Sequence, residues 1–331
     1  MIRTAMFRGG MICLLFCAPG SAGEVLLDVD SPQVLSIPPL SPGPPAAGCR
    51  VAVRAPEFSE TDVFHIVYLP PEWSQTGASL PIIFEYTGNF HPASGSTGEP
   101  EGAGLGYGLS AGRCIWVSLP YVSPDGQDNA VTWWGNETAT IDYAKLNVPR
   151  MIREFHADPG AVILCGFSRG AIGTSYLGLH DDEVSQLWTA FVAHDHFDGV
   201  RPWGTTTWGT PLEMYRKGAA ERLKRIQGRP FLVSQDVNTQ NSRQFIQTVL
   251  PSAENFTFVD VDVKAIFGSF PHPVARSAHT DRWLLQPCPE RKVVWTWMNA
   301  VFESAGRERQ PRKIPDRRPV PKANYSGTPG K

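Results

Sequence analysis

The ten residues Val162-Ile163-Leu164-Cys165-Gly166-Phe167-Ser168-Arg169-Gly170-Ala171 constrain the fold of this chain more than any other stretch. An apolar run that reads as a buried strand leads straight into G-x-S-x-G, and a helix-compatible segment follows at once. A strand that turns sharply into a helix crowds the backbone two positions either side of the turn. Only small residues fit there, which accounts for Gly166 and Gly170. The hydroxyl of Ser168 then stands on the turn, and the helix N-terminus directs its partial positive charge at the same point. Ser168 is therefore the candidate nucleophile, weighed against the plainer reading of a glycine turn with an incidental serine.

Short β-rich runs alternate with helical ones on both sides of this motif. The strand candidates are Val51-Arg54, Val63-Leu69, Leu80-Tyr86, Cys114-Leu119, Ala161-Cys165, Trp188-Ala193, Pro230-Ser234 and Phe256-Val263. Several are continuous apolar runs, as strands buried on both faces of a parallel sheet are. The helix candidates are Thr138-Phe155, with Pro149 as a break or kink, then Arg169-Gly178, Pro211-Ile226, Ser242-Leu250 and Glu290-Glu303. The pattern predicts a three-layer α/β sandwich whose first two strands, with no helix between them, form an antiparallel start. At 42% hydrophobic and 19% charged residues the chain is not mostly disordered, and a net charge of -2 excludes a strongly basic nucleic-acid binder.

From about Val51 to Glu303 the strand order and the Ser168 turn resemble the α/β-hydrolase superfamily, which implies a mostly parallel eight-stranded sheet. The run to Gly166-Phe167-Ser168-Arg169-Gly170 resembles secreted esterases of the polyhydroxybutyrate-depolymerase and feruloyl-esterase kind. Gly178-Leu179-His180-Asp181-Asp182-Glu183 and Phe197-Asp198-Gly199-Val200 are similar to exported bacterial relatives. The resemblance implies the order serine, acid, histidine. For the base it favours His279, on a loop before a closing helix, over the proline-flanked His272. For the acid it implies Asp236, after the seventh strand, with Asp198 and Asp195 in reserve. An oxyanion hole would take one backbone N–H from Arg169 and a second from Gly88 or Asn89, in the loop after the third strand. Superfamily members often carry His-Gly in that loop, where this chain has Thr87-Gly88. The implied activity is hydrolysis of a carboxylic ester, either a small molecule or one linked to a polysaccharide, with no cofactor. A serine peptidase would use the same triad, and a non-catalytic binding protein would keep the fold alone.

Other signals are weaker. His194-Asp195-His196-Phe197-Asp198 has the H-x-H-x-D spacing of a di-metal site, but Gly199 stands where that motif continues with another histidine, so no metal is expected. Trp133 and Trp134, with Trp203 and Trp208 flanking Thr205-Thr206-Thr207, lie on loops expected near the catalytic face. Together they suggest a platform for sugar rings or aromatic acyl groups. Arg201, Arg243 and Arg276 are each candidates to meet a carboxylate, against a solvated surface role. The acceptor patterns at Asn136, Asn255 and Asn324 read as chance matches.

The two ends differ from the body. Arg3 and Arg8 precede the apolar run Met11-Ala18, and Gly20-Ser21-Ala22 follow. Residues 1–22 therefore read as a secretory signal cleaved near Ala22 or Gly23, too short to span a bilayer. A secreted or periplasmic protein with no transmembrane segment is expected. Beyond it remain Cys49, Cys114, Cys165 and Cys288, of which Cys49 with Cys288 is the pair for any disulfide. Residues 23–50 form a Pro-rich leader, 51–304 the catalytic domain, and 305–331 a basic Pro-rich disordered tail. Removing a signal with two arginines and no acids leaves -4. The tail has eight basic residues against two acids, so the body carries -10, and the tail offers a contact to anionic surface material.

Overall fold

The computed structural model describes residues 25–203 and 208–307. In chain order its strands and α-helices are β1 (Arg50–Val53), β2 (His65–Tyr68), β3 (Leu80–Tyr86), α1 (Leu105–Ser110), β4 (Ile115–Leu119), α2 (Glu137–Glu154), β5 (Ala157–Phe167), α3 (Arg169–Tyr176) and α4 (Asp182–Ser185). They continue with β6 (Ala190–His194), α5 (Leu212–Leu223), β7 (Phe231–Asp236), α6 (Gln240–Val249), β8 (Phe256–Val261), α7 (Val263–Phe267) and α8 (Pro289–Arg307). The strands form one sheet in the order β1-β2-β4-β3-β5-β6-β7-β8. Its first two pairings, β1 with β2 and β2 with β4, are antiparallel, and every other pairing is parallel.

The apolar composition of the central strands explains this arrangement. Every residue of β3, β4 and β6 is buried, which requires cover on both faces of the sheet. Helices α2 and α3 pack on β5, and α1 and α8 pack on each other and on β5, giving a three-layer α/β sandwich. Because β3, β5, β6 and β7 run parallel in register, Tyr86, Phe167, His194 and Asp236 all end at one edge of the sheet. Loops leaving that edge are where such sheets bind ligands.

Several expectations are corrected. Helix α2 continues through Pro149, which forgoes one backbone hydrogen bond without ending the helix. Helix α8 runs to Arg307, past the boundary expected at residue 304. All four described cysteines are free thiols, Cys49 and Cys288 included. The Pro-rich leader from residue 25 makes no helix, and it is tied to the body. Leu35 N–H donates to Leu285 O at 2.8 Å, Arg291 donates to Ser31 O and Gln33 O, and Val25 and Leu27 are buried. The signal segment, Thr205-Thr206-Thr207 and the tail beyond Arg307 lie outside the described residues. Among the described residues no helix is long and apolar enough to cross a membrane.

Candidate active site

Ser168 sits on the one-residue turn between β5 and α3 with φ 55° and ψ -117°, a conformation costly for any residue with a side chain. The surroundings hold it there. A Cβ on Gly166 would collide with the Gly170 carbonyl, and one on Gly170 with the Tyr86 carbonyl at the end of β3. Ser168 N–H is tied to His194 O of the neighbouring strand at 2.9 Å. The two glycines therefore let strand, turn and helix pack at a distance no other residue allows.

His279 meets this hydroxyl from the loop before α8, with Nε2 2.9 Å from Ser168 Oγ. Its other nitrogen, Nδ1, lies 3.0 Å from Asp195 Oδ2. Asp195 follows directly after β6, is 4% exposed, and accepts the Asp236 N–H on Oδ1 at 2.8 Å. Burial alone would raise its carboxyl, but His194, the bond to His279 and the Asp236 N–H outweigh burial and hold it at about 2. The base loop is pinned as well. His194 Nε2 donates to Thr280 O at 3.0 Å, and its Nδ1 lies 3.0 Å from Ser234 Oγ.

Asp236 does not reach His279, which corrects the acid expected from sequence. Its backbone N–H serves Asp195, and its own Oδ1 accepts only a long bond from Val263 N–H at 3.3 Å. The reason is local: Asp195 has φ 72°, a left-handed bend that carries its carboxylate out of the β6 line and under His279. Asp198, the other reserve, lies farther along and is bound by Arg222 Nε at 2.8 Å. Of the H-x-H-x-D side chains, Asp195 and His196 both meet His279, while Asp198 turns away to Arg222. His272, the less favoured base, packs its ring on Phe267 at 4.9 Å and accepts from Val274 N–H at 3.2 Å.

The loop after β3 approaches the nucleophile at Gly88, where an added Cβ would lie 3.3 Å from Ser168 Cβ and 3.1 Å from the Phe167 ring. Asn89 uses its side chain elsewhere, accepting Trp133 N–H on Oδ1 at 2.6 Å. What sequence reasoning missed is the side chain of Arg169. Its guanidinium is buried and donates to Gly88 O and Gly98 O at 3.1 Å each, to Thr87 O at 3.5 Å and to Trp133 O, and it lies over the Tyr121 ring at 3.9 Å. Burial lowers it to about 10, so it remains charged at neutral pH. One cation thus ties the backbone of the Gly88 loop to the helix that starts after Ser168. Its position next to Ser168 was visible in sequence, but the direction of its side chain was not.

The four tryptophans come together, though not as an open platform. Trp133 stacks on Trp208 at 5.1 Å and meets Trp203 at 5.6 Å, while Trp134 stacks on Tyr176 at 5.1 Å. Trp134 is 2% exposed and belongs to the core, which corrects its expected role as a binding surface. The ring faces of the cluster are turned largely on one another. Trp203 touches His196 at 4.6 Å, and His196 in turn touches His279 at 5.3 Å. Burial, then His279 and Arg201, pull His196 down to about 3, so it stands neutral beside His279.

A sheet of this order, with a serine on the turn after β5, a histidine before the last helix and a carboxylate after β6, defines an α/β-hydrolase fold in which the three side chains are joined by hydrogen bonds. No family model matches the chain, and no curated protein does. Among solved structures it is similar to a ferulic acid esterase, with 13% identity over 72% of this chain and 92% of that one, at a TM-score of 0.43. It is also similar to the esterase Est22, with 13% identity, 74% of each chain covered and a TM-score of 0.47. A third is the isopeptidase AtxE2, with 12% identity over 76% of this chain and 43% of that one, at a TM-score of 0.44. Likeness at this level carries no argument about reaction, which has to be read from the site itself.

Proposed function

We propose that this chain is a serine hydrolase that cleaves carboxylic esters through an acyl-enzyme. The observation that carries the reading is the unbroken relay from Ser168 Oγ to His279 at 2.9 Å and from His279 to Asp195 at 3.0 Å. Ser168 Oγ attacks the ester carbonyl carbon while His279 Nε2 takes its proton, and Asp195 stabilises the imidazolium that results. The Arg169 N–H, at the free first turn of α3, and the N–H of Gly88 or Asn89 hold the tetrahedral oxyanion. The bond to the alcohol oxygen then breaks, and His279 returns the proton to that oxygen. Water attacks the acyl-enzyme with its proton passing to His279, the carboxylic acid leaves, and Ser168 recovers its hydrogen.

The test is the full chain against a short 4-nitrophenyl ester, beside Ser168→Ala. Hydrolysis that the variant loses is the expected result, and equal rates overturn the reading. Cleavage of short peptide amides without esters would make it a peptidase, and failure to label with a fluorophosphonate would make it a binding protein. On the sequence of residues 1–22 we further infer export. N-terminal sequencing of protein recovered outside the cytoplasm then starts near Ala22 or Gly23, and an N-terminus at Met1 refutes it.

A further inference from the structure

We propose that the cavity beside His279 is a subsite for a hydroxylated carboxylate, as in a sugar acid, and that Arg276 is the residue that recognises its charge; the inference rests on Ser168 being the nucleophile of an ester hydrolase. The cavity measures about 360 Å³, within the range of small-molecule sites. Its two walls are the loop after β3 and the loop between α7 and α8. Gly88, Phe167 and His279 belong to its lining, so a group held there is joined to the reacting carbon within a few bonds.

Two cations line the cavity, and they differ. Arg282 is engaged, with Nε on Asp281 Oδ1 at 3.1 Å and Nη2 on Gly102 O at 2.5 Å. Arg276, among the described residues, has no ion pair, hydrogen bond or ring contact for its guanidinium. Its stem is nevertheless seated: a Cβ on Gly95, which has φ +81°, would come within 3.1 Å of Arg276 Cδ. The other two arginines singled out from sequence have aromatic partners, Arg201 over Trp203 at 4.5 Å and Arg243 over Phe258 at 4.2 Å.

The acids facing the cavity are Asp281, which Arg282 neutralises, and Glu99. The Glu99 carboxyl is partnered by the Asn129 side chain, and its Oε2 is sealed from the cavity. The exposed Arg276 is thus the cation on this cavity that no anion of the described residues meets. A carboxylate in the cavity meets the planar fork of Arg276. Ser94, Ser96 and Thr97 add hydroxyls to the same wall, which suits a polyhydroxylated group better than an aromatic acyl chain.

The test compares galacturonate with galactose, which carries a CH₂OH in place of the carboxylate. Against 4-nitrophenyl acetate hydrolysis by the full chain, galacturonate is expected to inhibit competitively at least tenfold more strongly than galactose, and less so at 0.5 M salt. Arg276→Gln is expected to remove that tenfold difference, and Arg276→Lys to recover part of it. Calorimetric titration of galacturonate into Ser168→Ala reads the same contact without turnover. Equal inhibition by the two sugars, or an Arg276→Gln protein that still discriminates, overturns the subsite and leaves the esterase reading standing. Galacturonate binding that Arg276→Gln abolishes, in a protein that cleaves no ester, supports the subsite and overturns the esterase reading instead.

Discussion

Replacing Asp195 or Asp236 by Asn separates two carboxylates that lie side by side at the end of neighbouring strands. In Asp195→Asn the amide oxygen keeps the Asp236 N–H, now accepted at 2.8 Å by Asp195 Oδ1, so the new NH₂ group faces His279 Nδ1. Nδ1 must then accept, the ring proton moves to Nε2, and the nitrogen facing Ser168 can no longer take a proton. The geometry survives while the base is lost, which corresponds to a fall in kcat of about 10⁴-fold, or about 5.4 kcal/mol of transition-state stabilisation. Asp236→Asn keeps the backbone N–H that serves Asp195, and its amide oxygen still accepts the 3.3 Å bond from Val263, so its loss stays below about tenfold. The assay is kcat on a short 4-nitrophenyl ester, with thermal melts to establish that both variants fold. If Asp236→Asn loses as much activity as Asp195→Asn, the acid has been misassigned and the reasoning from hydrogen-bond geometry fails.

Arg169→Met removes donors from the carbonyls of Thr87, Gly88, Gly98 and Trp133, so kcat on the same ester should fall by about 10- to 100-fold and the urea midpoint should drop; Arg169→Lys, which lacks the planar fork, should not restore either. Trp134→Ala opens a cavity in the core and should cost about 3–5 kcal/mol in urea unfolding. Gly170→Ala places a Cβ against the Tyr86 carbonyl and should cost about 3 kcal/mol or more, read as lost soluble yield. The Asp195 carboxyl is held at about 2 against an ordinary 3.8. Its contribution, on the order of 2 kcal/mol, is therefore present above pH 4 and lost as pH falls from about 4 to 2; urea midpoints over that range should show a slope that Asp195→Asn flattens.

Whatever was legible in the sequence was carried by neighbours along the chain, and whatever was not was carried by contacts across it. The Ser168 turn could be read because strand, two glycines and helix fall within ten residues, each required by the others. Helix α1 could not. Leu105-Gly106-Tyr107-Gly108-Leu109-Ser110 holds two glycines and reads as a loop. It forms because buried Glu85, about twenty residues earlier, accepts the N–H groups of Gly104, Leu105 and Gly106 at 2.8–3.2 Å, while Gly108 lets Leu284 pack against the helix. The acid illustrates the same limit more sharply. Asp195 and Asp236 each follow an apolar parallel strand, and nothing in either local sequence ranks one above the other. What separates them is a backbone angle, the φ of 72° at Asp195, together with an N–H from Asp236 that arrives from the adjacent strand. The residue expected to be the acid is instead the one whose main-chain N–H orients the Asp195 carboxylate.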